Sequence, residues 1–162
     1  MSIATFVFLG IFGALFLYAV TIYNNFVRLK NNVAQAWSNI DVLMKQRHDE
    51  LPKLVEVCRQ YAQFEQSTLE KVMQARSAVF AASQSRNIEA LGAAESQLRN
   101  GIGQIFAVAE AYPELKANEN FKHLLERITA MENTIADRRE FYNDSVNLNN
   151  VRIEQVPDTF IA

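Results

Sequence analysis

Hydrophobic positions divide the chain into one unbroken apolar run followed by long stripes at helical spacing. From Ile3 to Tyr23 there is no charge, Pro, Asn or Gln. As a helix rising about 1.5 Å per residue, this run is roughly 31 Å long, close to the ~30 Å hydrocarbon core of a bilayer. It predicts a transmembrane anchor over residues 1–23. A cleaved secretory signal would need a basic leading segment, a shorter apolar stretch and a small-x-small cleavage site. Only Met1 and Ser2 precede the run and no A-x-A site follows it, so the segment is expected to be retained.

Past the anchor, apolar residues recur at three and four, which predicts helix throughout. Phe26, Leu29, Val33, Trp37, Ile40 and Met44, then Arg47 and Leu51, continue a helix straight out of the membrane. Pro52 is its first punctuation, and either a kink in one long helix or a tight corner between two fits the pattern. A seven-residue repeat over Leu51, Val55, Cys58, Ala62, Glu65, Leu69, Val72, Arg76 and Val79 predicts a helix from Pro52 to about Ala82 with coiled-coil-like packing. A third helix is expected over 88–112, with Asn87 or Ser85 as its cap. Gly101 and Gly103 weaken it by roughly 1 kcal/mol each relative to Ala and are read as a close helix contact or a bend. Pro113 ends it, Asn118 caps a last helix over 119–150, and residues 151–162, with Pro157, are expected to be an irregular tail. The fold class is therefore all-α: the transmembrane helix continues into an antiparallel up-and-down bundle of three to four helices over 24–150.

Composition narrows the function classes. The 16 basic and 18 acidic residues leave a net charge of −2, so no basic surplus points to nucleic acid. Cys58 is the single cysteine, which excludes an intramolecular disulfide and a cysteine-rich metal site. His48 and His123 lack metal-ligand spacing, and no Glu-x-x-His pair, phosphate-binding glycine loop or H-E-x-x-H occurs. No cofactor, metal or catalytic residue is expected. His48-Asp49-Glu50-Leu51 spells a retrieval signal that acts only at a C-terminus, and Asn143-Asp144-Ser145 fits a glycosylation pattern inside a helix. Both are read as chance.

Two residue sets remain as candidate contacts. Gly10, Ala14 and Thr21 share one face of the anchor, opposite Phe8, Phe12 and Phe16, and small residues let helix backbones approach closely in lipid. Arg47, Glu65, Arg76, Glu95, Glu132, Arg138 and Arg139 lie on or beside the apolar seams of the bundle. An unpaired buried charge costs several kcal/mol, so any that are inside must pair. They form either seam-edge bridges or a polar layer that contacts a neighbouring subunit or ligand. Arg28 and Lys30 just past the anchor place the N-terminus outside and the helical part in the cytoplasm.

Several segments resemble the LemA family of bacterial membrane proteins. The resemblance runs through Tyr23-Asn24, Ala36-Trp37-Ser38-Asn39-Ile40-Asp41-Val42, Lys45-Gln46-Arg47-His48-Asp49 and Pro52-Lys53-Leu54-Val55, then Tyr61, Glu65 and Ala75-Arg76. It is densest from Ala109 to Phe121, where Glu110-Ala111-Tyr112-Pro113, Leu115-Lys116-Ala117-Asn118 and Asn120-Phe121 form a specific run. Glu132-Asn133, Ile135, Arg138 or Arg139, and Tyr142-Asn143 close it, while residues 77–108 follow only loosely. The resemblance implies an N-terminal anchor, a short outside tail, a cytoplasmic helical bundle and no established enzymatic activity. Some relatives belong to sets that shape magnetosome membranes, and others occur beside membrane proteases.

Residues and resemblance together lead to one expectation. The chain is a non-enzymatic inner-membrane protein that self-associates as a homo-oligomer and scaffolds or shapes the bilayer. The alternative is an adaptor or regulator of a membrane protease, sensor or transporter.

Overall fold

A computed structural model describes residues 3–61, 65–85 and 87–161, among which no strand occurs. Helix α1 spans Ile3–Arg59 without interruption, so Pro52 lies inside a helix. A proline removes the N–H that would bond the carbonyl four residues earlier, and its ring crowds that carbonyl. Here that group belongs to His48, and Arg76 of the next helix donates its Nε–H to it at 2.8 Å. A side chain from a neighbouring element replaces the missing backbone donor, and the helix continues.

The corner falls later than the repeat predicts. Instead of one helix from Pro52 to Ala82, α1 stops at Arg59 and α2 runs over Gln66–Gln84. The amides of Gln60 and Tyr61 close the last turn on the Val57 and Cys58 carbonyls at 3.3 and 3.1 Å. Glu65 is extended and starts α2, its carbonyl accepting the Thr68 amide at 3.1 Å. Ala62, assigned to the repeat, lies outside the described residues. The repeat reads across the corner because Leu51, Val55 and Cys58 before it and Leu69, Val72 and Val79 after it are all buried.

Helix α3 spans Ile88–Ala109 and opens on Asn87, whose side chain accepts the Ala90 amide at 3.0 Å. Its Gly101 is a contact glycine: a Cβ there would meet Val72 Cγ2 of α2 at 2.8 Å. Gly103 is exposed and a Cβ there would meet nothing within 4 Å. The short α4, Pro113–Ala117, carries Pro113 in its first turn, where no N–H is needed, and buries Leu115. Asn118 then caps α5, its Oδ1 accepting the Phe121 amide at 3.0 Å while its Nδ2 donates to the Tyr61 hydroxyl at 3.2 Å.

Helix α5 runs over Glu119–Glu154, four residues past the expected end, and the segment expected to be irregular forms a 3-10 turn over Asp158–Phe160. The turn is held by Arg152, whose Nη1 donates to Asp158 Oδ2 at 2.9 Å. Arg152 is a cation in the last helical turn, where it also favours the helix dipole.

Two compact units partition the chain: Met1–Asn39 with Asp137–Ala162, and Ile40–Ala136. In the second unit the C-terminal part of α1, α2, α3 and the N-terminal part of α5 surround one apolar core. Partner order shows that neighbours run antiparallel: Arg76 and Ser83 of α2 meet His48 and Asp41 of α1, and Arg127 and Glu132 of α5 meet Glu50 and Arg47. In the first unit the stretch of α1 from about Ile22 onward and the end of α5 pack together. Trp37 and Tyr142 stack there at a 57° tilt with ring centroids 5.4 Å apart.

Candidate functional site

The bundle unit holds a buried polar layer built on Arg47. Position 47 continues the apolar stripe of α1 by three residues from Met44, so the helix itself carries a cation into the core. Arg47 is 1% exposed, and α3 brings Glu95, 4% exposed, against its Nη2. From α5, Glu132 accepts from Nη1 at 2.5 Å and is 13% exposed. Arg99 of α3 approaches the other oxygen of Glu132 at 3.6 Å. One turn along α1, buried Glu50 binds Arg127 at 2.9 Å and Lys53 at 3.1 Å.

Burial alone would lower the Arg47 pKa, but the hydrogen bonds and charges of Glu95 and Glu132 outweigh it and hold the guanidinium above its ordinary range. Arg47 is thus a permanent cation clamped between two carboxylates. Such a group ties three helices together and does not transfer protons.

The residues predicted from sequence separate into different places. Arg47 and Glu132 meet directly, and Glu95 joins them. Arg76 is engaged with the His48 carbonyl, and exposed Glu65 stands at the start of α2, where its Oε2 accepts from the Thr68 hydroxyl at 3.1 Å. Arg138 and Arg139 belong to the other unit, the first exposed and the second half-buried. Gly10, Ala14 and Thr21 are exposed along α1, with the Thr21 hydroxyl bonded to the Leu17 carbonyl at 2.9 Å. Glu50, Arg99 and Arg127 escaped sequence reasoning. Of these only Glu50 had a signal, lying one helical turn from Arg47 on the same face.

Other reactive side chains are already occupied. Cys58 is fully buried and its thiol is pushed up to about 12 by that burial. His48 stacks on Phe80 with centroids 4.7 Å apart. Burial, and secondarily the Arg76 charge, lower its pKa, against an opposing pull from Asp49. Among the described residues no group of His, Cys, Asp and Glu could hold a metal ion.

Several of the residues that carry the family resemblance have structural contacts. Trp37 and Tyr142 pack together, Glu110 and Lys116 pair at 2.8 Å across the turn into α4, Leu115 fills the core, and Asn118 caps α5. At the start of α1, the apolar run is long enough to cross a membrane, and from Ile3 to Tyr18 every residue is exposed.

Known proteins are similar to this chain in sequence. Magnetosome protein MamQ 2 of Paramagnetospirillum magneticum is 25% identical over 86% of this chain and 60% of its own length. Magnetosome protein MamQ of Magnetospirillum gryphiswaldense is 24% identical over the same shares. The chain thus spans about 60% of the length of these relatives. The family model described as LemA family matches residues 36–162, and the chain belongs to the LemA family.

Proposed function

We propose that this protein is a non-enzymatic membrane scaffold. Residues 3–23 of α1 cross the bacterial inner membrane, the N-terminus lies outside, and the helical units stand in the cytoplasm as parts of a homo-oligomer. The observation that carries the reading is the anchor: an uncharged run, exposed from Ile3 to Tyr18, with Gly10, Ala14 and Thr21 along one face. Such a face offers close backbone contact to a second helix in lipid. Arg28 and Lys30 at its inner end support the orientation. Packing many copies side by side on one leaflet would stiffen or bend the bilayer beneath them. The magnetosome names of its relatives fit a structural part of this kind.

Crosslinking in native membranes tests the reading. Gly10→Cys and Ala14→Cys, each alone, should give a disulfide-linked homodimer on oxidation, whereas Phe12→Cys on the opposite face should not. Cys58 is buried and contributes no background. Monomer alone would refute self-association, and a single band of mixed composition would instead favour an adaptor for another membrane protein.

A further inference from the structure

The unit formed by Met1–Asn39 and Asp137–Ala162 carries a second apolar surface at its C-terminal end. Beyond the Trp37–Tyr142 contact, α5 returns along α1 toward the anchor. Val146 and Ile153 border one cavity of about 430 Å³ together with Tyr23, Phe26 and Lys30 of α1. From Tyr142 to Ile153 the helix rises about 16 Å, which on α1 leads from Trp37 back to about Phe26. The 3-10 turn then carries Ile161 into the same cavity. Along α1, Ile22 is the first buried residue among those described, so protein packing begins where the apolar run ends. The end of α5 and its turn therefore lie level with the inner edge of the anchor.

What this turn presents is unusual for a surface facing water. Asp158 is buried and paired with the partly exposed Arg152, and the Thr159 and Phe160 amides bond to the Gln155 and Pro157 carbonyls at 2.8 and 3.1 Å. Beside exposed Gln155 and Thr159, the turn directs two large apolar groups outward: Val156 is 76% exposed and Phe160 is 81% exposed. Exposed Arg28 and Lys30 stand just past Tyr23, at the height where headgroups meet the inner end of α1.

We infer that residues 155–161 are a second membrane contact, in which Val156 and Phe160 enter the boundary between headgroups and acyl chains beside α1. Apolar side chains exposed in a fold, held level with the edge of a spanning segment, meet lipid there and not bulk water. The unit is then attached at two points, through α1 and through the end of α5, which restrains its rotation about the anchor axis. The inference rests on α1 spanning the bilayer, which a separate probe reports.

The test is fluorescence quenching of the full-length protein in vesicles of zwitterionic and anionic phospholipid containing spin-labelled lipids. Phe160→Trp and, as a second probe, Val156→Trp place an indole on the turn, and Phe12→Trp places one in the anchor. Native Trp37 lies about 21 Å past Tyr23 along α1 and serves as an unquenched reference. The turn probes should emit at shorter wavelength than an indole in water and lose most of their added emission to lipids labelled near the headgroup. The anchor probe should be quenched by lipids labelled deep in the chains. An unquenched, water-like turn probe beside a quenched anchor probe would overturn the second contact alone. A blue-shifted but unquenched turn probe that reddens as protein is diluted in lipid would overturn it in favour of a second copy. An unquenched anchor probe would overturn both readings.

Discussion

Replacing Arg47 with Met should be among the most damaging single changes in the bundle unit. The side chain is almost completely enclosed and is bound by Glu95 and Glu132, themselves 4% and 13% exposed. Met matches the aliphatic stem but leaves both carboxylates without their main cation, and Arg99 at 3.6 Å serves only Glu132. Breaking a buried pair in this way costs about 3–5 kcal/mol. That is a large part of the roughly 5–15 kcal/mol by which a domain is stable. With a urea slope of about 2 kcal/mol/M, the midpoint should fall by roughly 2 M. The measurement is urea unfolding of the full-length protein in non-ionic micelles, followed by circular dichroism. Removing all three charges, Arg47→Met with Glu95→Leu and Glu132→Leu, should recover most of the loss, because an apolar layer of similar volume carries no desolvation cost. An unshifted midpoint for Arg47→Met, or a triple variant less stable than the single one, would refute the assignment of this layer as a closed buried ion cluster.

Three further outcomes follow from neighbouring geometry. Gly101→Ala places a methyl 2.8 Å from Val72 Cγ2 and should destabilise by about 1–2 kcal/mol net of the helix-propensity gain, whereas exposed Gly103→Ala should stabilise by roughly 0.5–1 kcal/mol; paired chemical-denaturation curves check both signs. Arg76→Ala should cost about 1–3 kcal/mol because it strands the His48 carbonyl, and the cost should shrink in a Pro52→Ala background, where a backbone N–H returns; a double-mutant cycle reads the difference. His48, whose pKa burial lowers, resists protonation in the fold while the unfolded chain binds a proton near pH 6.5, so stability should fall as pH drops through that value. The melting temperature of wild type should therefore fall more between pH 7.5 and 5.5 than that of His48→Gln.

The parts of this fold that were legible in the sequence are those set by local chemistry. Asn87 and Asn118 announce helix starts because their side chains mimic a missing carbonyl partner, and both make that bond. The long apolar start of α1, which is helical, is legible from its composition. The corner between α1 and α2 was not. No glycine or proline marks it, and the apolar phase is preserved across it because both flanking helices face one core. Pro52 misleads for the complementary reason: its local signal is real, but the donor that neutralises it comes from Arg76 in another helix. The polar layer was half legible. A charge on an apolar stripe, such as Arg47 or Glu132, stands out by its surroundings. Glu65 shares the same periodicity yet stands exposed where the helix breaks, and no spacing rule separates the two.

The Arg47 layer also bears on what makes this arrangement of helices unique. An apolar seam of Leu, Ile and Val side chains is tolerant of a slip by one turn, since similar residues recur at similar spacing. Such a slip displaces Arg47 by about 5.4 Å along α5, beyond reach of Glu132, and leaves buried charges unpaired. The alternative register is then penalised by several kcal/mol although the native one gains little net stability from the ions. Gly101 adds an independent lock between α2 and α3, because only the register that places it against Val72 lets those helices approach so closely. Charge fixes α1 against α3 and α5, and shape fixes α2 against α3. Charge and shape thus lock different pairs of helices, and both devices lie inside the bundle and leave its outer faces unused.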